Sequence, residues 1–229
     1  MKIIFFDIDG TLICGGSELM SESTKEAIRI ARANGHICMI NTGRTKRLVG
    51  ENLTGQVEFD GLLLGCGTEI EYHGKQLMHK TFSMEESKAI LAAMKKYHVD
   101  AVLEGSREDY APRGEEVFTE TFRHMAREIE NRKYDRYANA PGNYDKLYAY
   151  AETPAGMDGM KHDLSEILDF IDREQGFYEI VPKGYSKATA IRYITEYLNI
   201  PMEDTVAIGD ILRYLFHRNR RGGILRLCS

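Results

Sequence analysis

Asp7 and Asp9 stand one residue apart at the end of the apolar run IIFF, and Gly10-Thr11 breaks that run at once. Side chains alternate along a strand, so a strand continuing through Asp7 would project both carboxylates from one side. Two like charges so close are costly unless a cation joins them. A metal ion acting with a phosphorylated substrate is the candidate, and the rest of the chain must supply its other parts. Three further sites carry the residue types such chemistry needs: Thr42-Gly43-Arg44 after the run ICMIN, Lys187 at the start of a helical pattern, and Gly209-Asp210 after TVAI. A carboxylate nucleophile attacking phosphorus requires an adjacent acid for the leaving oxygen, a divalent cation, and donors around the equatorial oxygens. In that scheme Asp7 attacks and Asp9 serves as acid and base. Thr42, the Gly43 amide and Arg44 bind phosphate, Lys187 supplies fixed positive charge, and Asp210 completes an all-oxygen Mg²⁺ shell. Each site also has a plainer reading. DxD can be a polar turn, Thr42-Gly43 a helix cap, and Lys187 or Arg44 a solvated side chain.

The elements that must position these residues follow from hydrophobic spacing. Ser23 and Glu26 predict a capping box, Ala27, Ile28 and Ala31 follow at helical intervals, and Gly35 stops the helix. ICMIN (37–41) and GLLLG (61–65) read as fully apolar strands, with a helix to about Leu53 between them. Strands buried on both faces and alternating with helices predict a parallel sheet, whose ligands bind at its C-terminal strand ends. TEIEY and QLMHKTF read as a hairpin. The block from 83 to 181 then reads as helix (84–97), strand (99–104), helix across 115–132, strand (146–152), helix (160–174) and strand (177–181). It is predicted to be a separate α+β domain inserted into the first, which comprises 1–82 and 182–229. In the block, Tyr148 and Tyr150 alternate with Ala149 and Ala151 as one face of a strand. The first rhythm returns with a helix from Ser186 to Leu198 and a strand over 204–210.

The 229 residues, 43% hydrophobic and 28% charged, describe an ordinary globular chain. A net charge of −5 argues against a nucleic-acid surface. Cys14, Cys38, Cys66 and Cys228 show no paired or metal-binding spacing, so free thiols in a reducing compartment are expected. The N-terminal apolar run is too short for a signal peptide and no later stretch reaches the length of a membrane span, which predicts a cytoplasmic protein without a membrane partner.

DIDGT, TGR, the lysine of PKGYSKATA and VAIGD, in that order around an inserted block, resemble the haloacid dehalogenase superfamily, and within it the Cof-type phosphatases. The segment LLLGCGTEIEYHGKQL looks like that branch's asparagine-glycine-alanine region, with Cys66 where asparagine is usual, and VPKG resembles its entry into the lysine helix. The resemblance implies a Rossmann-like core with a large α+β cap that closes over Asp7, Mg²⁺, an aspartyl-phosphate intermediate, and small phosphorylated metabolites, often sugar phosphates, as substrates. It also implies that Asp9 binds the metal through its main-chain carbonyl, leaving its carboxylate for proton transfer.

Beyond Asp210 the chain departs from that pattern. The family motif is Gly-Asp-x-x-Asn-Asp, and here Arg213 and Tyr214 replace the last two residues. Residues 211–229 hold five arginines and no Lys, Asp or Glu. A frameshifted or truncated reading after Asp210 is expected over a genuine divergent tail, with weakened metal binding and activity; a phosphometabolite-binding protein without turnover is the alternative to the phosphatase. One rival mechanism uses the same region, since Cys38 and Arg44 have the C-x5-R spacing of cysteine-dependent phosphatases. Cys38 sits inside ICMI, where a thiol behaves as a small hydrophobe, so the carboxylate route is preferred.

Overall fold

The computed structural model describes residues 1–14, 17–131, 134–137, 142–209 and 224–225. The chain begins with β1 (Ile3–Phe6), α1 (Glu22–Ala33), β2 (Ile37–Asn41), α2 (Lys46–Thr54) and β3 (Gly61–Leu64), followed by the hairpin β4 (Glu69–Tyr72) and β5 (Lys75–His79). Next come α3 (Met84–Tyr97), β6 (Val99–Glu104), β7 (Asp109–Ala111), α4 (Glu120–Asn131), β8 (Asp135–Arg136), β9 (Lys146–Ala151), α5 (Pro154–Leu164), β10 (Leu168–Asp172) and β11 (Phe177–Pro182). The last elements are α6 (Lys187–Tyr197), β12 (Thr205–Ile208) and β13 (Ile224–Leu225). Two compact units result, one of residues 1–79 with 186–229, the other of residues 80–185.

In the first unit the strands run β13-β12-β1-β2-β3-β4-β5, parallel through β3, with the hairpin antiparallel at the edge. This is a Rossmann-like α/β core. Its period-2 alternation sorts the sheet faces. Phe6, Cys38, Ile40 and Leu64 pack with Ile28 of α1 and with Val49 and Leu53 of α2. Ile3, Phe5, Met39 and Leu63 pack with Ala190, Ile191 and Ile194 of α6. A residue that follows Phe5 by two, or Met39 by two, therefore faces α6.

The second unit is a mixed sheet in the order β10-β11-β9-β6-β7-β8, antiparallel except for the β7–β8 pair. One face is covered by α3 and α5 through Ile90, Met94, Met157, Met160 and Leu164. Lys146 on β9 is buried with its ammonium 2.8 Å from both Glu104 and Glu179. Burial pushes the Glu104 carboxyl up; the same burial acts on Glu179, but Lys146 and Arg173 overcome it and hold that carboxyl low. Tyr148 and Tyr150 lie across from Phe177, with ring centroids at 5.4 and 4.7 Å.

Three expected elements differ. α1 is capped by Ser21, whose side chain accepts from the Thr24 amide, two residues ahead of the expected Ser23 box. The helix expected over 115–132 is a 3-10 turn at Gly114–Glu116 followed by α4. The helix expected over 160–174 starts earlier, with Pro154 at its first position, and ends at Leu164. Leu168–Asp172 instead pairs antiparallel with β11, because that pairing satisfies the backbone and buries Leu168.

Candidate active site

All the site residues that can be placed belong to the first unit. Asp7 is the residue after β1, and its amide still donates to Ile208 of β12 at 2.9 Å. Following Phe5 by two, it faces α6, where the Lys187 ammonium lies 2.5 Å from its Oδ2. The Ile8 amide donates to Oδ1 at 2.8 Å. Both side chains of the ion pair are largely buried, 14% and 13% exposed.

The chain turns immediately after Asp7, so the two carboxylates part. Gly10 takes φ +72°, a left-handed conformation that glycine reaches without steric cost, and Asp9 bridges to Ile13. The Asp9 side chain is 62% exposed and meets the Arg44 guanidinium as a bidentate pair, 2.5 and 3.0 Å. Each carboxylate thus has its own cation.

Thr42 is buried at the end of β2. Its amide donates to Leu63, its carbonyl accepts from the Cys66 amide at 3.0 Å, and its hydroxyl oxygen accepts from the Arg44 amide at 3.2 Å. The hydroxyl keeps its own proton to donate. Gly43 lies in the bend between Thr42 and Arg44. The cap of α2 is Thr45 rather than Thr42-Gly43.

The start of α6 is fixed from three sides. Ser186 caps it in a reciprocal box with Thr189. The Asn41 amide on β2 donates to the Lys187 carbonyl at 3.2 Å. Gly67, at φ +92° in the turn between β3 and β4, brings its Cα so close that a Cβ there would stand 2.4 Å from the Ser186 carbonyl oxygen. Neither Asn41 nor Gly67 was picked out from the sequence. Only the Gly-Cys-Gly cluster hinted at the second. Gly209 follows β12 beside Asp7, where a Cβ would lie 3.4 Å from the Asp7 Cβ. Asp210, Arg213 and Tyr214 lie outside the described residues.

The candidate residues that can be placed fall on the C-terminal ends of β1, β2 and β12 and on the N-terminus of α6, the side of an open α/β sheet where ligands bind. The haloacid dehalogenase-like hydrolase profile matches residues 4–213. The chain belongs to that family. A Streptococcus pyogenes protein provisionally named a bifunctional phosphatase/peptidyl-prolyl cis-trans isomerase is 24% identical over 219 residues, covering 94% of this chain. The chain spans about half the length of that curated relative, 45%. Among solved structures, a haloalkanoate-superfamily phosphatase from Bacteroides thetaiotaomicron superposes with a TM-score of 0.78 at 20% identity, covering 93% of this chain and 78% of its own. A subclass IIB sugar phosphatase gives 0.72 at 21% identity, covering 92% and 81%. These likenesses show the fold, a haloacid dehalogenase core with an inserted α+β domain of the cap type.

The C-x5-R alternative finds no support in the geometry. Cys38 has no exposed surface, and burial first, then the Asp60 carboxylate, push its thiol up to about 11. The Arg44 guanidinium pairs with the Asp9 carboxylate. Cys38→Ala should leave any phosphatase activity of the haloacid dehalogenase fold intact while costing about 1 kcal/mol of stability; specific loss of activity without unfolding would favour the thiolate. Cys66 is also a buried free thiol. Among the described residues no helix is long and apolar enough to cross a membrane.

Proposed function

We propose that this chain hydrolyses small phosphate monoesters, sugar phosphates among them, through a phosphorylated Asp7. The observation that carries the reading is the Asp7 carboxylate at the end of the central strand, largely buried, with Lys187 on one oxygen and the Ile8 amide on the other. In this reading an Asp7 oxygen attacks phosphorus while Asp9, as the acid, protonates the departing alkoxide. Asp9 then takes a proton from the water that cleaves the acyl phosphate. Lys187 stabilises charge on the nucleophile and the phosphoryl oxygens, and Thr42, Gly43 and Arg44 donate to those oxygens.

The donor chemistry fits Mg²⁺. Asp7 and Asp9 offer only hard oxygen ligands, each Asp7 oxygen retains accepting capacity beyond its one partner among the described residues, and Gly209 brings no side chain to the flank of Asp7. Asp7, the Asp9 carbonyl and Asp210 are the residues proposed to hold the ion, which supplies charge neutralisation between carboxylate and phosphate.

The test is a panel of phosphorylated metabolites assayed for phosphate release with Mg²⁺ and with chelator. Metal-dependent release is expected, slow in the chain as it stands and raised about 10–100-fold by Arg213→Asn combined with Tyr214→Asp, the usual scale of an outer-shell loss. Saturable binding without release in either protein would favour the non-catalytic alternative and sink the hydrolase.

A further inference from the structure

We propose that Asn41 is a positioning residue that holds Lys187 against Asp7, an inference that rests on the proposed hydrolase for its kinetic consequence but not for its geometry. Asn41 is the last residue of β2 and follows Met39 by two, so strand alternation turns its side chain toward α6 rather than toward α1 and α2. It is 3% exposed at a position where the two preceding residues of the strand are apolar and fully buried. A buried amide is costly unless its hydrogen-bonding groups are met. One is met by the Lys187 carbonyl at 3.2 Å, while Oδ1 has no partner among the described residues. A polar side chain kept buried with half its capacity unmet is poorly explained by packing. Its one described bond reaches the residue whose ammonium lies 2.5 Å from Asp7.

The consequence is mechanical. The first carbonyls of a helix are already engaged by amides one turn on, and the Asn41 amide adds a second donor to the Lys187 carbonyl from outside the helix. That bond ties the end of β2 to the first residue of α6. Asp7 extends the neighbouring strand, since Phe6 pairs with Ile40. Nucleophile and cation are thereby referred to the same sheet edge, and the long Lys187 side chain is anchored at its base.

The test compares Asn41→Leu and Asn41→Ala, which remove the donor, with Asn41→Gln, which keeps it. Acylation by limiting acetic anhydride is followed by mass spectrometry at Lys187, with Lys25, a half-buried amine on α1 of the same unit, as the internal reference. Expected is severalfold faster labelling of Lys187 in the Leu and Ala variants at unchanged Lys25, with substantial recovery in the Gln variant. In phosphate-release assays kcat should fall about 10–100-fold with KM moving far less. Should the Leu variant fail to fold, the smaller Ala variant decides. Lys187 labelling at the wild-type rate, or Lys25 accelerating in step with Lys187, overturns the proposal. If the unmodified protein releases no phosphate from any substrate, the hydrolase reading fails, and the labelling result still decides whether Asn41 positions Lys187.

Discussion

Asp7→Asn is expected to cut phosphate release by about four orders of magnitude or more, the scale on which removal of a covalent nucleophile acts. An amide oxygen neither attacks phosphorus nor balances the charge of a divalent cation. The structural cost is much smaller. Asn keeps one carbonyl oxygen for either Lys187 or the Ile8 amide, so one of the two bonds at 2.5 and 2.8 Å is lost. A hydrogen bond to a charged group contributes about 1.5–3 kcal/mol, which lowers the melting temperature without unfolding the sheet. Phosphate release and circular dichroism measured on the same sample separate the two effects. Residual turnover near the wild-type rate in a folded Asn variant would show that another group attacks.

Gly67→Ala should carry the second largest effect, although Gly67 touches no reacting group. Its φ of +92° is strained for any residue with a Cβ, and the added methyl would stand 2.4 Å from the Ser186 carbonyl oxygen and 3.0 Å from its carbon. Backbone cannot swing aside as a side chain can, so the start of α6 must shift or the turn must open. Strain and overpacking together cost about 2–4 kcal/mol. A displacement of Lys187 by about 1 Å is worth roughly 100-fold in turnover. Gly74→Ala is the matched control: it too sits at positive φ, +73°, but nothing lies within 4 Å of its added methyl. The control should lose about 1 kcal/mol and keep its activity. Equal behaviour of the two variants in thermal melts and assays would mean that the close approach of Gly67 to α6 does not matter.

The parts of the fold that were legible in the sequence are those set by local pattern. ICMIN is a strand end to end, and α3 spans Met84–Tyr97 as its capping box and apolar spacing indicate. What escaped is what distant partners decide. Leu168–Asp172 is a strand because β11 lies beside it, and the left-handed turn at Glu174, Gln175 and Gly176 that joins them looks like ordinary charged sequence. The same division runs through the site. Asp7, Thr42 and Lys187 announce themselves by their positions at strand and helix ends. Asn41 and Gly67 matter only through α6, far along the chain, and a polar residue closing an apolar strand or a glycine in a turn has many plainer uses. The separation of Asp7 from Asp9 was also invisible, since alternation projects them together and only the Gly10 turn sends them to different cations.

The central place of β1 has a consequence for how the chain comes to be made. Ile3 is paired with Ile37 on one side and with Thr205 on the other. On the ribosome the first neighbour emerges early, but the second emerges only after the whole of residues 80–185, whose sheet is closed by pairings within its own span. Through most of translation the strand Ile3–Phe6 therefore carries one bare, apolar edge, the kind of surface to which stray strands from other nascent chains add. Slow elongation across the inserted segment should lengthen that exposure and increase aggregation, whereas arrival of Thr205–Ile208 ends it.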